Sequence, residues 1–326
     1  MTAAAPLIAE KESGSPSEVW SLLENLLQSR LRKCLSLLPK VLGEDDAAAV
    51  HDLRVWSRRL QQVIVTLFPD AQQPEAREMV RALRRARRAL GGWRDCDVVI
   101  AMLDRRLRRM RNADERRGWE MVRDSARIRR HRQMSRARSR IANRRLFTLA
   151  QRARELLEQR SAADPPGYSD PLPVLASSVS TAYAQWLESM SRARLNFAST
   201  ELHAFRIQTK RLRYRIELMR DIGSAAAPAA LDALKSIQDE LGHWHDNLEL
   251  AAITAQALSN PEFLVQHPLS AAVMLRKMDR DNAIHMKRIQ HLLANTPSAD
   301  AATSPYESVE KCCVSDTPEP AAPEII

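Results

Sequence analysis

The sequence predicts an all-α protein. Aromatic residues make up only 5% of the 326 residues and there are only eight glycines, a composition typical of helices rich in Leu, Ala and Arg rather than of sheets joined by many turns. Apolar residues also recur at helical spacing, as in the leucines between Leu22 and Leu38. Such spacing gives each helix one face for the core and one for solvent.

Proline, glycine and the apolar period together divide the chain into helices. The expected helices cover residues 17–38, 47–68, 74–90, 174–197, 200–222, 228–241, 246–259 and 269–294. Pro39 is expected to end the first helix, and Gly91 with Gly92 to form the C-terminal cap of the third. Asp95 and Asp246 each follow a glycine-containing break, so both are predicted to be N-caps.

Residues 97–160 contain no proline and a single glycine, Gly118. This stretch should form two or three long arginine-rich helices with a break near residues 112–118. The clearest internal boundary is the Pro-, Gly- and Ser-rich segment that follows. The predicted organisation is a flexible N-terminus (1–14), a first helical bundle (15–160), a linker (161–173), a second helical bundle (174–295) and a disordered C-terminal tail (296–326).

The sequence does not predict a membrane span, a secretory signal or a zinc-binding cysteine pattern. No apolar stretch approaches the roughly 18 to 20 residues that a membrane span needs, and no cationic region precedes the short apolar stretch at the N-terminus, as it would in a secretory signal. The four cysteines have no zinc-type spacing, and we expect them to be reduced. We therefore expect a cytoplasmic protein with no membrane partner.

The net charge of +10 is distributed unevenly. Residues 1–160 carry 35 Lys and Arg against 20 Asp and Glu, whereas residues 161–326 carry 15 against 20. Nearly all of the basic charge in the first half is arginine, whose planar fork suits bidentate contacts with phosphate oxygens. A phosphate-rich polyanion is the partner class that this distribution favours.

The chain contains an internal repeat. VHDLRVWSRRL at residues 50–60 aligns with LHAFRIQTKRL at 202–212, and LGGWRDC at 90–96 aligns with LGHWHDN at 241–247. Two motifs in the same order at nearly the same offset indicate a tandem duplication with the linker at its seam. Trp93 and Trp244 occupy equivalent positions and are predicted to be packing anchors rather than binding platforms.

Each motif helix is amphipathic. His51, Arg54 and Arg58 share one face of the first motif helix, opposite Leu53 and Leu60. The same construction applies to the second motif helix, and the third helix opposes its apolar stripe with a row of arginines. A basic face of a single helix is usually only a solvated surface. The recurrence of the same face in both repeats, with His at the same position, favours a binding function.

Through these motifs the chain resembles the CHAD family, the conserved histidine α-helical domain. The family pattern is His-x-x-Arg-x-x-x-[Arg/Lys]-Arg in each half, and here the second half continues through Leu212, Arg213 and Tyr214 to Glu217, with Lys235 and Gln238 further on. The resemblance covers roughly residues 15–295. It departs where His245 replaces the Arg94 of the first repeat, and in the arginine-rich segment 105–145.

The resemblance implies two antiparallel four-helix bundles, related by a pseudo-twofold axis, whose basic faces converge on a groove or pore that binds inorganic polyphosphate. It also implies association with polyphosphate granules, and the lack of a Glu-x-Glu-x-Lys signature is typical of the stand-alone form. Sulfate or phosphate ions are expected to occupy the same site. The candidate binding residues are His51, Arg54, Arg58, Arg59, Arg81, Arg84, Arg85, Arg88, Arg94, His203, Arg206, Lys210, Arg211, Arg213, Tyr214 and Lys235.

Two other functions fit the sequence less well. A metal-dependent phosphoanhydride hydrolase would need a carboxylate and histidine cluster, and only His243, His245 and Asp246 suggest one. A nucleic-acid-binding protein would fit the pI near 9.9, but few aromatics are available for base stacking. We expect no enzymatic activity and no cofactor, and polyphosphate rather than nucleic acid as the partner, with nucleic-acid binding and then the hydrolase as the alternatives. The sequence leaves open whether His243, His245 and Asp246 bind a metal. The oligomeric state and the preferred polyphosphate length are not predictable from this sequence.

Overall fold

The computed structural model describes residues 15–68, 73–142, 146–163, 171–223 and 227–296. The predicted N-terminal segment, almost all of the C-terminal tail and most of the linker lie outside these residues. Within them the chain forms helices and turns without a strand, which confirms the all-α prediction. The helices are α1 (Pro16–Gly43), α2 (Ala47–Leu67), α3 (Pro74–Ala89), α4 (Gly91–Arg108), α5 (Ala113–Ile141), α6 (Leu149–Ala163), α7 (Leu172–Leu195), α8 (Ser199–Asp221), α9 (Ala227–Leu258), α10 (Pro261–Gln266) and α11 (Pro268–Asn295).

Side-chain caps fix the starts of several helices. The Ser15 hydroxyl accepts from the backbone N–H of Glu18, whose carboxylate accepts from the backbone N–H of Ser15 in return. Asp46 accepts from the first backbone N–H groups of α2, and Asn112 does the same for α5. These contacts satisfy N–H groups that have no partner inside the helix.

Pro39 does not end the first helix, and that prediction was wrong. It lies inside α1, which continues to Gly43. A proline removes one backbone hydrogen bond of a helix. Leu38 and Val41 are buried on either side of it, so their packing keeps the last turn helical.

The two glycine-containing breaks also differ from the prediction. Gly91 and Gly92 form the first turn of α4 rather than a left-handed cap, and Asp95 lies within that helix. In the second half α9 is continuous through Gly242, so Asp246 is not an N-cap either and the two predicted helices are one. The tertiary contacts of these segments outweigh their local propensity.

The break in the long arginine-rich segment lies at residues 109–112, and Gly118 is inside α5. An ideal Cβ on Gly118 would collide with the sulfur of Met274 on α11. The glycine is therefore explained by the close approach of α11 rather than by a turn.

The core consists of two hydrophobic clusters. The larger contains buried residues of both halves, among them Leu60, Trp93, Leu212 and Trp244, so the packing role predicted for the two tryptophans is confirmed. The smaller cluster joins the far ends of α4, α5 and α9 to α10 and α11 around Trp119. The division into two four-helix bundles stays a prediction.

The motif helices α2 and α8 contact each other directly. Ion pairs also cross between the halves, including Arg30 with Asp221 at 2.5 Å. Within the described ranges, no helix is long and apolar enough to cross a bilayer. The α2 and α8 contact brings the two His-x-x-Arg motifs to one place.

Candidate functional site

The buried faces of α2 and α8 set the direction of their basic residues. Leu53 and Leu60 of α2 are buried, as is Leu212 of α8. The basic side chains therefore lie on the opposite faces. Because α2 and α8 contact each other, Arg54 of the first motif lies close enough to Arg206 of the second for each to feel the other's charge.

Arg54 is fixed by a contact with the end of α3. Its Nη1 donates to the backbone carbonyl of Arg87 at 2.6 Å, and an ideal Cβ on Gly91 would lie 3.5 Å from the same atom. Burial is the main cause that lowers the pKa of Arg54, and the neighbouring Arg58 adds to it. The guanidinium is therefore held between α2, the end of α3 and the start of α4.

Lys210 lies at the centre of the positive charge. Burial, followed by repulsion from Arg206, Arg58 and Arg54, lowers the pKa of Lys210 to about 6, and only Asp246 opposes the shift. A lysine amine ordinarily titrates near 10.4. The ligand-free site thus favours the neutral amine at pH 7.

Histidines surround this centre. The His203 and His245 rings lie 5.8 Å apart between their centroids. Burial and then Arg206 lower the pKa of His245 to about 4, and burial lowers the pKa of His51, with Arg94 adding to the effect. Arg94 and His245, which are equivalent in the repeat, therefore both face the same region.

Asp95 and Asp246 face this region too, although the sequence placed them as helix caps. Burial raises the pKa of both carboxyls, while Arg206 and Arg94 oppose the shift for each of them. The two carboxylates also repel one another. We call the whole group the central cluster: His51, Arg54, Arg58, Arg94, Asp95, His203, Arg206, Lys210, His245 and Asp246.

Among the described residues, Asp95 and Asp246 are the carboxylates that act on the central arginines, and neither lies close enough to form a direct ion pair. Within the described part of the chain, no carboxylate lies within ion-pair distance of Arg54, Arg58, Arg94, Arg206 or Lys210, and the Nε of Arg206 is buried without a hydrogen-bond partner. Arginines elsewhere do have such partners, as in the pair of Arg130 with Asp97 at 2.5 Å. Half-buried like charges without counter-ions repel each other, so the cluster is arranged for an anion from outside.

Arg87 belongs beside the cluster but was not predicted. It donates to the Ser57 carbonyl at 2.9 Å and to the Gln61 side chain, and repulsion from Arg58 and Arg84 helps to lower its pKa after burial. The helical wheel placed Arg87 outside the basic face of α3. Its long side chain reaches sideways to α2, which a wheel of one helix does not represent.

Several predicted site residues lie elsewhere or have other partners. Arg59 and Arg213 both pair with the buried carboxylate of Glu217, at 3.0 Å and 3.2 Å. Arg81 and Arg85 line a separate cavity with Arg152 of α6. Arg84, Arg88, Arg211 and Lys235 are exposed, and Tyr214 is buried beside Arg213.

The three residues suggested as a metal site do not form one. His243 faces His285 of α11, whose pKa it helps to lower, whereas His245 faces His203. Within the residues that the structure describes, no three His, Cys, Asp or Glu side chains are grouped so that they could hold a metal ion.

Comparisons with known proteins identify the family and the fold. The family model described as the CHAD domain matches residues 25–255. The crystal structure of the CHAD domain from the plant Ricinus communis is 19% identical with a TM-score of 0.64, covering 91% of this chain and 98% of that one. PptA from Streptomyces chartreusis is 16% identical, also with a TM-score of 0.64, covering 84% and 99%. No curated protein sequence matches the chain.

Proposed function

The chain belongs to the CHAD domain family, and we propose that its central cluster binds inorganic polyphosphate without catalysing a reaction. The observation that carries the proposal is the set of cations without counter-ions at the contact between α2 and α8. A polyphosphate chain supplies closely spaced negative charges and no apolar surface. It would neutralise cations from α2, α4 and α8 at once.

The residue types favour phosphate over other anions. Arg54, Arg58 and Arg206 present planar forks that match phosphate oxygens, and Lys210 adds a point charge between them. His51 and His203 would act as further donors, because a bound polyanion raises the pKa of a nearby imidazole. A single phosphate would reach only part of this set, so longer chains should bind more tightly.

A binding role fits the site better than turnover. Phosphoanhydride hydrolysis by a metal-dependent enzyme needs ligands for the ion and a group that positions water, and the central cluster holds two carboxylates surrounded by arginines. We also propose that the protein acts in the cytoplasm at polyphosphate granules. Release of orthophosphate from polyphosphate by the purified protein, abolished by changing His245 or Asp246, would overturn the non-catalytic reading.

Binding of size-defined polyphosphate, compared with RNA and DNA of similar charge at two salt concentrations, tests the proposal. Polyphosphate should bind most tightly, and ATP weakly. Arg206→Ala should weaken binding at least tenfold, since one charge-assisted contact contributes about 1.5 to 3 kcal/mol. Arg132→Ala is the matched control, because Arg132 is an exposed arginine on α5 outside the cluster. Equal losses for the two variants, or tighter binding of RNA, would argue against this site.

A further inference from the structure

The turn between α4 and α5 is strongly basic. Residues 105–117 contain seven arginines and two acidic residues. Two of the seven have carboxylate partners within the fold: Arg106 contacts Asp281, and Arg116 pairs with Glu120. The exposed arginines for which the described residues offer no carboxylate partner are Arg105, Arg108, Arg109, Arg111 and Arg117.

An exposed aliphatic corner is formed by α10 and the start of α11. Val265 is 81% exposed and Leu269 is 82% exposed, with Leu264 and Leu275 partly exposed as well. Phe263, which directly precedes Leu264, is buried in the smaller hydrophobic cluster. Phe263 therefore anchors α10 to the core, while the aliphatic side chains of the corner are exposed to solvent.

The basic turn and the aliphatic corner lie at the same end of the molecule. The Ser270 hydroxyl donates to the backbone carbonyl of Asp114 at 3.3 Å, and Lys277 pairs with Glu115. These contacts join the start of α11 to the start of α5. We call this end the distal tip: residues 105–117 together with residues 264–275.

We propose that the distal tip is a docking surface for an anionic lipid bilayer. Arginines near the surface of such a bilayer are attracted to lipid phosphates and carboxylates, while short aliphatic side chains enter the boundary between headgroups and acyl chains. The absence of a membrane partner was expected from the lack of a spanning segment, and contact with a membrane surface does not need one. The proposal is independent of polyphosphate binding at the central cluster.

Other occupants fit the distal tip less well. A second copy of the chain would bring two basic turns together, and the like charges would repel. RNA would be attracted to the arginines, but the residues that protrude beside them are Val265 and Leu269, which offer no ring for base stacking. Arginine beside protruding aliphatic residues matches a lipid surface.

Sedimentation of the full chain with vesicles tests this inference. Vesicles of phosphatidylcholine alone are compared with vesicles that also contain phosphatidylserine. Arg109→Ala and Arg111→Ala should each lower the partition constant for the anionic vesicles roughly fivefold. The double variant Val265→Ser and Leu269→Ser, which leaves the charge unchanged, should lower it roughly tenfold or more.

Matched controls lie on the same long helix. Arg132→Ala and Arg136→Ala remove exposed arginines of α5 roughly 30 Å from the tip, and Ile128→Ser replaces an aliphatic residue that is 57% exposed. These variants should bind vesicles like the unchanged protein, and all variants should retain their polyphosphate affinity. Equal losses in tip and control variants would overturn the proposal. So would loss of RNA binding in the tip variants with unchanged vesicle binding.

Discussion

Replacing Lys210 with Met should stabilise the ligand-free protein, although it removes a residue of the proposed site. In the folded state the pKa of Lys210 is lowered from 10.5 to about 6, first by burial and then by Arg206 and its neighbours. At pH 7.5 the folded amine is therefore mostly neutral and the unfolded amine is protonated. Each unit of pKa corresponds to about 1.4 kcal/mol, so the penalty at pH 7.5 is at most about 4 kcal/mol.

The sign of the pH dependence follows from the protons bound in each state. Between pH 6 and 10.5 the unfolded state holds more protons at Lys210, so the stability of the unchanged protein rises with pH. Lys210→Met has no amine at this position, so this pH-dependent contribution to the free energy of unfolding is absent. Its advantage should therefore shrink from at most about 4 kcal/mol at pH 7.5 to about 2 kcal/mol at pH 9.

Urea denaturation at pH 6.5, 7.5 and 9 measures this difference. Lys235→Met is the matched control, because Lys235 is exposed on α9, and it should change stability by less than about 0.5 kcal/mol. The reasoning is refuted if Lys210→Met is no more stable than the control at pH 7.5. It is also refuted if the advantage of Lys210→Met grows as the pH is raised.

The same shift predicts that polyphosphate binding takes up a proton. A bound polyanion favours the charged amine, so the affinity of the unchanged protein should fall as the pH rises above 6, by at most about tenfold per unit for this group. Lys210→Met should bind more weakly and with a flatter pH dependence. Calorimetry in two buffers of different ionisation enthalpy counts the protons directly.

Three further predictions separate binding from folding. Arg54→Ala should leave the melting temperature of the ligand-free protein nearly unchanged or raised. In titrations at several salt concentrations, it should flatten the dependence of log K on log salt by about one unit per lost phosphate contact. Leu212→Ala should do the reverse, lowering the free energy of unfolding by about 2 to 5 kcal/mol without changing the salt slope. Glu217→Gln should lower that free energy by about 1.5 to 3 kcal/mol in urea denaturation, because the buried carboxylate loses its charge-assisted contacts with the half-buried Arg59 and Arg213.

The sequence alone was sufficient to predict the motif helices and their orientation. The recurring spacing and the apolar stripe placed His51 with Arg54 on one face of the first motif helix and His203 with Arg206 on one face of the second. The convergence of the two faces was implied by the resemblance to the CHAD family. The burial of Leu60 and its equivalents confirms the stripe. Periodicity is reliable here because one face of each helix must enter the core.

The predictions that failed depended on local signals. Gly91 and Gly92 are residue types typical of a C-terminal helix cap, and Asp95 is typical of an N-cap. All three instead lie in the first turns of α4. Trp93, between them, is buried in the larger hydrophobic cluster. The packing of that indole keeps the segment helical and directs Asp95 toward the central cluster, and no rule based on neighbouring residues contains that contact.

The arginines of the family motif form two groups that the sequence does not distinguish: one group has ion-pair partners in the fold and the other does not. Arg59 and Arg213 belong to the family motif, and each pairs with Glu217, whereas Arg54 and Arg206 have no carboxylate within ion-pair distance among the described residues. The first pair is neutralised within the fold, so its removal should affect stability more than binding. The second pair has only Asp95 and Asp246 near it, beyond ion-pair distance, so positive charge at the contact between the two halves is only partly compensated until an anion binds. A ligand that binds only the folded state raises its stability by an amount set by the affinity. At one polyphosphate concentration, the rise in melting temperature should therefore be smaller for Arg54→Ala than for the unchanged protein, whereas Arg59→Ala should keep most of it.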